Sequence, residues 1–506
     1  MGPIPDQLGV EQGGVNSDRF YKLANNSELQ VTQRSQLGVH LGPVHVASIG
    51  QADDVALVSN CPYRLQGLLT LAMEYATSHH IQMVASKTKL LRYVPSGHEQ
   101  YTTYFDFVSP VAMLGSPISF SREAEHVGIM RCSAAGSMAA VLARISSHTR
   151  AMHAVLPAGS ARGHFGNPAA SLRVELLYGL PVLLSGLASL VLSRAEVEAI
   201  DHHYKVSLER LLRLYPRTPA CFVYLLAGSL PASAILHKRQ LSLLGMIARQ
   251  GDGAILHRYG HHILTNPPLT SRSPSSSPWF IQVRGLCRQY GLPDPLEVLS
   301  SATSKGIWKG EVERAINSYW GARIRAEATA LPSISHLRPS HMSLSSPSPL
   351  LTSCRADRQE IKKMTVQVRM ASGRYRTCWL RRHWSGDATG SCRVPGCLPN
   401  TPGTLLHLAT GQCVGLKAAT SDACSYWATF ATTHPHLYPL LQFYADGEDE
   451  AFLAFLLSPH LQAPVLLLAQ EVGNSVFDEV CHMTRTWLYQ HHRARLRSLD
   501  LWEYLV

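Results

Sequence analysis

Residues 44–58 read VHVASIGQADDVALV. Two runs of β-branched and small apolar residues, 44–49 and 55–58, flank Gly50-Gln51-Ala52-Asp53-Asp54. Apolar run, acidic turn, apolar run is the pattern of a β-hairpin with Asp53 and Asp54 at its tip. Adjacent carboxylates on a regular strand point to opposite faces. At a turn, however, their oxygens can converge on one divalent cation. Hard oxygen ligands suit Mg2+, which is held through one or two carboxylates plus substrate phosphates. A solvated Asp-Asp turn competes with this reading, because Asp favours turns on its own account.

On the C-terminal side of the hairpin, Leu65, Leu68, Leu69, Leu71, Ala72 and Tyr75 recur at helical spacing and predict a helix over 65–81. Further strands are expected over 87–93 and 101–108. Downstream of the hairpin and its helix lies Ser86-Lys87-Thr88-Lys89, where Lys87 could reach a phosphate or simply be solvated. On the N-terminal side, residues 9–17 read GVEQGGVNS. The paired glycines Gly13 and Gly14, after Gln12, let a backbone, base or sugar approach closely, although an ordinary glycine turn fits the same residues.

In this order the three elements resemble the palm of a reverse transcriptase of LINE-type (non-LTR) retrotransposons. Residues 9–17 are similar to the family's glutamine–glycine motif, which implies template and nucleotide contacts for Gln12, Gly13 and Gly14. Gln51-Ala52-Asp53-Asp54 resembles the aromatic–Ala–Asp–Asp catalytic hairpin, and Ser86-Lys87-Thr88 the lysine motif that follows it. The string VALVSNCPYRLQGLL after the Asp pair and YRTCWLRRHW at 375–384 add to the likeness. The motifs cover about the first ninety residues. The resemblance implies RNA-directed DNA polymerase chemistry, with Asp53, Asp54 and Lys87 as catalytic residues, Mg2+ on the two carboxylates, and RNA and DNA as partners.

Two departures bear on activity. Gln51 stands where the family has Tyr or Phe. The family also places a further metal-binding Asp upstream of the glycine motif, and here only eight residues precede Gly9. Two-metal phosphoryl transfer needs carboxylates that hold both cations about 3.5–4 Å apart. Positioning and charge stabilisation supply nearly all of that catalysis. The expectation is therefore a truncated polymerase fragment, inactive by itself.

A second constellation is Cys392-x4-Cys397-x9-His407-x5-Cys413. Three thiolates and one imidazole are a standard tetrahedral Zn2+ set. Incidental cysteines and a core histidine are the alternative. Just before it, Arg374, Tyr375, Arg376, Trp379, Arg381, Arg382 and Trp384 interleave guanidinium groups and aromatic rings. Arginine pairs with phosphate and aromatic rings stack on bases, though a solvated strand with a half-buried aromatic face reads equally well. His257 and His261, four apart, lack a carboxylate partner in any recognisable metal pattern and read as structural. The C-terminal run WLYQHHRARLRSLDLWEYL reads as a basic amphipathic helix that could touch nucleic acid, although packing through Trp487, Leu488, Leu496 and Leu499 explains it equally well.

Composition sets the frame. The chain has 506 residues, 45% hydrophobic and 16% charged, which describes a globular protein of several domains. Its formal charge of +11 suits a polyanionic partner. Eleven irregularly spaced cysteines suit a reducing compartment. MGPIPDQLGV has neither a basic nor an apolar signal region, so the expectation is an intracellular protein of nucleus or cytoplasm. The apolar run 176–192 is interrupted by Gly179, Pro181 and Gly186 and is expected to be a buried core helix rather than a membrane span.

The expected fold is α+β, with a partial palm over 1–110 and a helical thumb-like region over 111–265. A Pro/Ser-rich linker follows at 266–279, then a region with the Cys/His loop over 280–440 and a helical tail over 441–506. A second Pro/Ser-rich stretch, 332–353, also reads as a linker. Two other functions stay open: a nucleic-acid-binding module with a vestigial palm, and a helical protein-interaction chain.

Overall fold

The computed structural model describes residues 17–51, 54–93, 111–118, 120–126, 129–132, 136–155, 168–267, 278–301, 303–337, 342–354, 357–373, 391–392, 394–398, 401 and 404–498. Most of these residues are helical, with five small two-stranded sheets near the N-terminal end, an α+β composition. The chain divides into two compact units. The first comprises Met1–Ser146, Leu184–Ala199 and Leu236–Ala315, and the second Ser147–Leu183, Ile200–Ile235 and Ile316–Val506.

In the first unit the apolar runs around the acidic turn do form strands. Ser48–Gln51 pairs antiparallel with Asp54–Leu57, and Gln51 faces Asp54 across the closing step. The run 44–49 is not one strand, however. Val44–Val46 pairs backwards with Val39–Leu41, and the two hairpins meet at Ala47. Ala47 is fully buried, its N–H donates to Gln33 Oε1 at 3.0 Å, and its carbonyl accepts from Val58 N–H at 2.8 Å. The helix read from the leucine spacing runs Pro62–Ser78, opening on a proline that needs no intrahelical donor. Its buried face carries Leu68, Leu69, Ala72 and Ala76. Leu69 packs with Val111, Met113 and Ile118, while the Gln66 amide makes two bonds to the Ala112 backbone at 2.7 and 3.0 Å. The strand expected over 87–93 shrinks to Leu90–Leu91, paired in parallel with Phe120–Ser121. The expected strand 101–108 lies outside the described residues.

The second unit is helical. Residues 221–227 of the helix Ala220–Ala227 are all buried. Helix Arg358–Ala371 starts at Asp357, whose side chain accepts from Glu360 N–H at 2.9 Å. It packs on the long C-terminal helix Ser475–Ser498, and Gln367 crosses between elements to the Leu456 carbonyl at 2.8 Å and Thr484 Oγ1 at 3.0 Å.

Two expectations are corrected. Residues 176–192 do not form one helix. A π-turn spans Glu175–Gly179, a short helix follows at Leu180–Leu183, and Gly186, at φ +73°, turns the chain into the 3-10 segment Leu187–Ser189. Only glycine enters that left-handed region without steric cost. The described residues of 332–353 likewise do not form a solvated linker. Ile334, Met342, Leu350 and Leu351 are buried, and Ser348 N–H donates to the Leu226 carbonyl at 3.0 Å. Among the described residues no single helix is long and apolar enough to cross a membrane.

Candidate metal centre

Cys392 and Cys397 stand at the two ends of a tight loop. Cys392 N–H donates to the Thr401 carbonyl at 2.7 Å, and Cys397 N–H returns to the Val394 carbonyl at 3.1 Å. The turn needs φ +85° at Gly396, the residue before the second thiol. His407 sits on the short helix Leu405–Ala409, whose start is fixed by Thr404: its hydroxyl accepts from His407 N–H at 3.2 Å. Cys413 opens a second tight turn, in which Leu416 N–H donates to the Cys413 carbonyl at 2.9 Å. A Cβ on Gly415 would press on the Pro395 carbonyl oxygen and on Val394, so the two turns pack face to face.

The four donor atoms lie within 4.8 Å of one another. Cys392 Sγ is 3.7 Å from Cys413 Sγ, and Cys397 Sγ is 3.3 Å from His407 Nε2. A tetrahedral Zn2+ with Zn–S bonds of about 2.3 Å has an S···S edge of about 3.8 Å, and an S···N edge of roughly 3.5 Å. The observed edges match these, and all three cysteines are free thiols. The group therefore fits a metal ion such as zinc.

Electrostatics points the same way. Burial pushes the Cys413 thiol up to about 12, and the neighbouring thiolates of Cys392 and Cys397 add to the rise. Burial likewise raises Cys392. Burial and the Arg495 guanidinium hold His407 below the ordinary imidazole value, which keeps its nitrogen free of a proton and able to ligate. Three gathered thiolates repel one another; a divalent cation reverses the sign of that interaction and removes the thiol protons.

Support comes from a small apolar cluster of Val394, Leu408, Cys413 and Leu416, against which Ala494 of the C-terminal helix packs. Trp487 of that helix donates its indole N–H to the Ala409 carbonyl at 2.8 Å, tying the His407 helix to the body of the unit. The ligands were readable from residue type and spacing. Thr404 and Gly415 were not, although Thr three residues before His407 and Gly two after Cys413 carry the signal of a cap and a turn; Trp487 was read as a packing residue, and it is buried.

Of the remaining expected site residues, two are among the described residues. Asp54 is exposed at the start of its strand, and Lys87 is exposed in the turn before Leu90–Leu91. Asp53, Gln12, Gly13, Gly14, Arg374, Arg376, Trp379, Arg381 and Arg382 lie outside the described residues. His257 is buried, with Nε2 3.1 Å from the Leu299 carbonyl and Nδ1 3.2 Å from Asp252 Oδ1, a structural role. No family model, curated protein or solved structure matches the chain.

Proposed function

We propose that this chain is a nucleic-acid-binding protein of LINE-type reverse-transcriptase ancestry whose Cys392, Cys397, His407 and Cys413 hold one structural Zn2+. The observation that carries the reading is the Cys3His geometry, which follows directly on the Arg- and aromatic-rich segment 374–384 in the sequence. Zinc would lock the two turns and the His407 helix into one unit. The basic segment would then start from a fixed base, with arginines for phosphates and Trp379 for base stacking. The hairpin Ser48–Gln51/Asp54–Leu57 suits the resemblance to a polymerase palm.

Polymerisation by this chain alone is not expected. A two-metal centre needs carboxylates that hold both cations. Among the described residues the gathered metal-ligand group is Cys3His, and no other carboxylate joins Asp54 in one. Asp53 and Asp54 would attract Mg2+ weakly, without chemistry, and Gln51 alters the shape and polarity beside them.

The test has two parts. Metal analysis of the purified chain should give one zinc per molecule, and Cys397→Ser should lower that value. Binding to labelled RNA and DNA should weaken with salt in log–log proportion. Template-primed dNTP incorporation that Asp53→Ala/Asp54→Ala abolishes would overturn the inactive assignment. A metal-free chain with no salt-dependent nucleic-acid binding would overturn the whole reading.

A further inference from the structure

Glu360, His482 and Tyr426 come from three helices of the second unit, Arg358–Ala371, Ser475–Ser498 and Lys417–Thr433. His482 stands between the other two. Its Nδ1 lies 3.1 Å from Glu360 Oε2, and its Nε2 lies 2.8 Å from the Tyr426 hydroxyl. An ionised carboxylate only accepts, so Nδ1 carries the imidazole hydrogen. Nε2 is then the lone pair, and the Tyr426 O–H donates to it. One tautomer satisfies both contacts. Exposure rises along the line: the Glu360 side chain is 7% exposed, that of His482 is 29% exposed, and Tyr426 is half-buried. Buried carboxylate, imidazole and reachable hydroxyl is the order in which a base activates a nucleophile and a third group orients the base.

The carboxylate is held in its charged form. Glu360 Oε1 is 2.9 Å from Lys363 Nζ, and Oε2 is 3.4 Å from the guanidinium of the buried Arg485. Burial alone would raise Glu360, but hydrogen bonds from His482 and Lys363 hold it down to about 2. Lys363 also donates to Thr486 Oγ1 at 3.1 Å, one helical turn beyond His482. The phenol is the opposite case. Burial raises the Tyr426 hydroxyl; Thr486 works against the rise and Glu360 adds to it. Tyr426 therefore keeps its proton at rest, and attack by its oxygen needs a base already in contact.

The neighbours of the hydroxyl narrow the substrate. Phe430 follows Tyr426 by four residues, with ring centroids 6.0 Å apart and 30° between the planes, and His434 follows Phe430 at 4.1 Å and 13°. All three residues are half-buried, so the row of rings borders solvent. Aromatic rings in such a position are stacking partners for unpaired bases. A phenol oxygen that attacks phosphorus gives an aryl phosphodiester, which a strand hydroxyl can reverse.

We infer that Tyr426 is the nucleophile, and His482 its general base, of a site that cleaves and rejoins the phosphodiester backbone of single-stranded nucleic acid. This rests on the nucleic-acid reading above and adds a reaction to it. The Tyr426 Oη–P bond forms as the P–O bond to one strand segment breaks. The phenol proton passes to His482 Nε2 and from there to the departing strand oxygen. Nothing is oxidised or reduced, and the reverse steps restore both strand and protein. Glu360 is a positioning residue, which fixes the imidazole tautomer and offsets the imidazolium charge.

The full chain is incubated with end-labelled oligonucleotides carrying one bridging phosphorothiolate, 5′ in one probe and 3′ in the other, because the sulfur leaves and does not attack again. Denaturing gels read a covalent protein–oligonucleotide adduct, and peptide mapping locates it. The expected result is an adduct on Tyr426 from one of the probes, lost in Tyr426→Phe while oligonucleotide affinity is retained. His482→Gln should slow its formation by about a hundredfold or more. Glu360→Gln should slow it too and move the acid limb of its pH–rate profile to lower pH, since the imidazolium loses its carboxylate. A wild-type chain that binds the oligonucleotide and forms no adduct, or an adduct mapped to another residue, would overturn the assignment while leaving nucleic-acid binding in place. A wild-type chain that binds no oligonucleotide would overturn both.

Discussion

His148 is 1% exposed and both of its ring nitrogens are engaged: Nε2 lies 2.9 Å from Glu175 Oε1, and Nδ1 lies 2.9 Å from His203 Nε2. Glu175 is fully buried and also accepts from the Ser207 hydroxyl at 3.3 Å. Removing one partner of such a pair leaves a buried group without compensation, a cost of about 3–5 kcal/mol. His148→Ala should therefore lower the urea unfolding free energy by about that amount, whereas Glu175→Gln, which keeps a hydrogen-bonding group in place, should cost less. Two other histidines make stability depend on pH. Burial holds His237 down to about 4 and His460 down to about 3, against an ordinary value of 6.5. Below pH 6.5 the unfolded chain takes up protons that the folded chain refuses. Their contribution is thus complete above that pH and is lost progressively as pH falls toward 4. His237→Gln/His460→Gln should flatten the acid limb of stability, measured by urea unfolding at a series of pH values.

Among the elements, the paired turns of the candidate metal centre are sensitive to a single atom. Gly415→Ala would drive a methyl group into the Pro395 carbonyl and separate the Cys392–Cys397 turn from the Cys413 turn. Supporting contacts around metal ligands are commonly worth tenfold to a hundredfold in affinity. Competition with a chromophoric chelator should show zinc held at least about tenfold more weakly, with the helical circular dichroism signal retained. This centre was legible in the sequence because thiol and imidazole ligands are rare residues whose order survives any local geometry. The acidic hairpin was legible for a similar reason, as its turn residues interrupt two apolar runs. The division at Ala47 was not, because Val44 and Val46 satisfy either partner strand and only Gln33, fourteen residues upstream, selects the bend. The broken course of 176–192 escaped detection since apolar composition does not distinguish a helix from a π-turn followed by a short helix. The burial of 332–353 escaped it too, because serines and prolines pass for a linker until the Leu226 carbonyl takes up Ser348.

At the scale of the molecule, the formal charge of +11 belongs to the whole chain, while the candidate metal centre involves only a small part of the second unit. Its apolar cluster is Val394, Leu408, Cys413 and Leu416, with Ala494 packed against it. Stripping the metal with a chelator should consequently open residues 392–416 to limited proteolysis and hydrogen exchange before the helices lose protection. Simultaneous loss of protection throughout the second unit would show instead that the centre holds the whole unit together. The indole bond from Trp487 to Ala409 gives this local event a colour of its own. Trp487 lies 4.5 Å from Trp427, tilted by 44°, close enough for the excited states of the two rings to couple. Emission and the far-ultraviolet exciton bands of that pair then register whether the backbone beside His407 is in place, so that a metal bound at the candidate centre would be read by an unaided spectrometer.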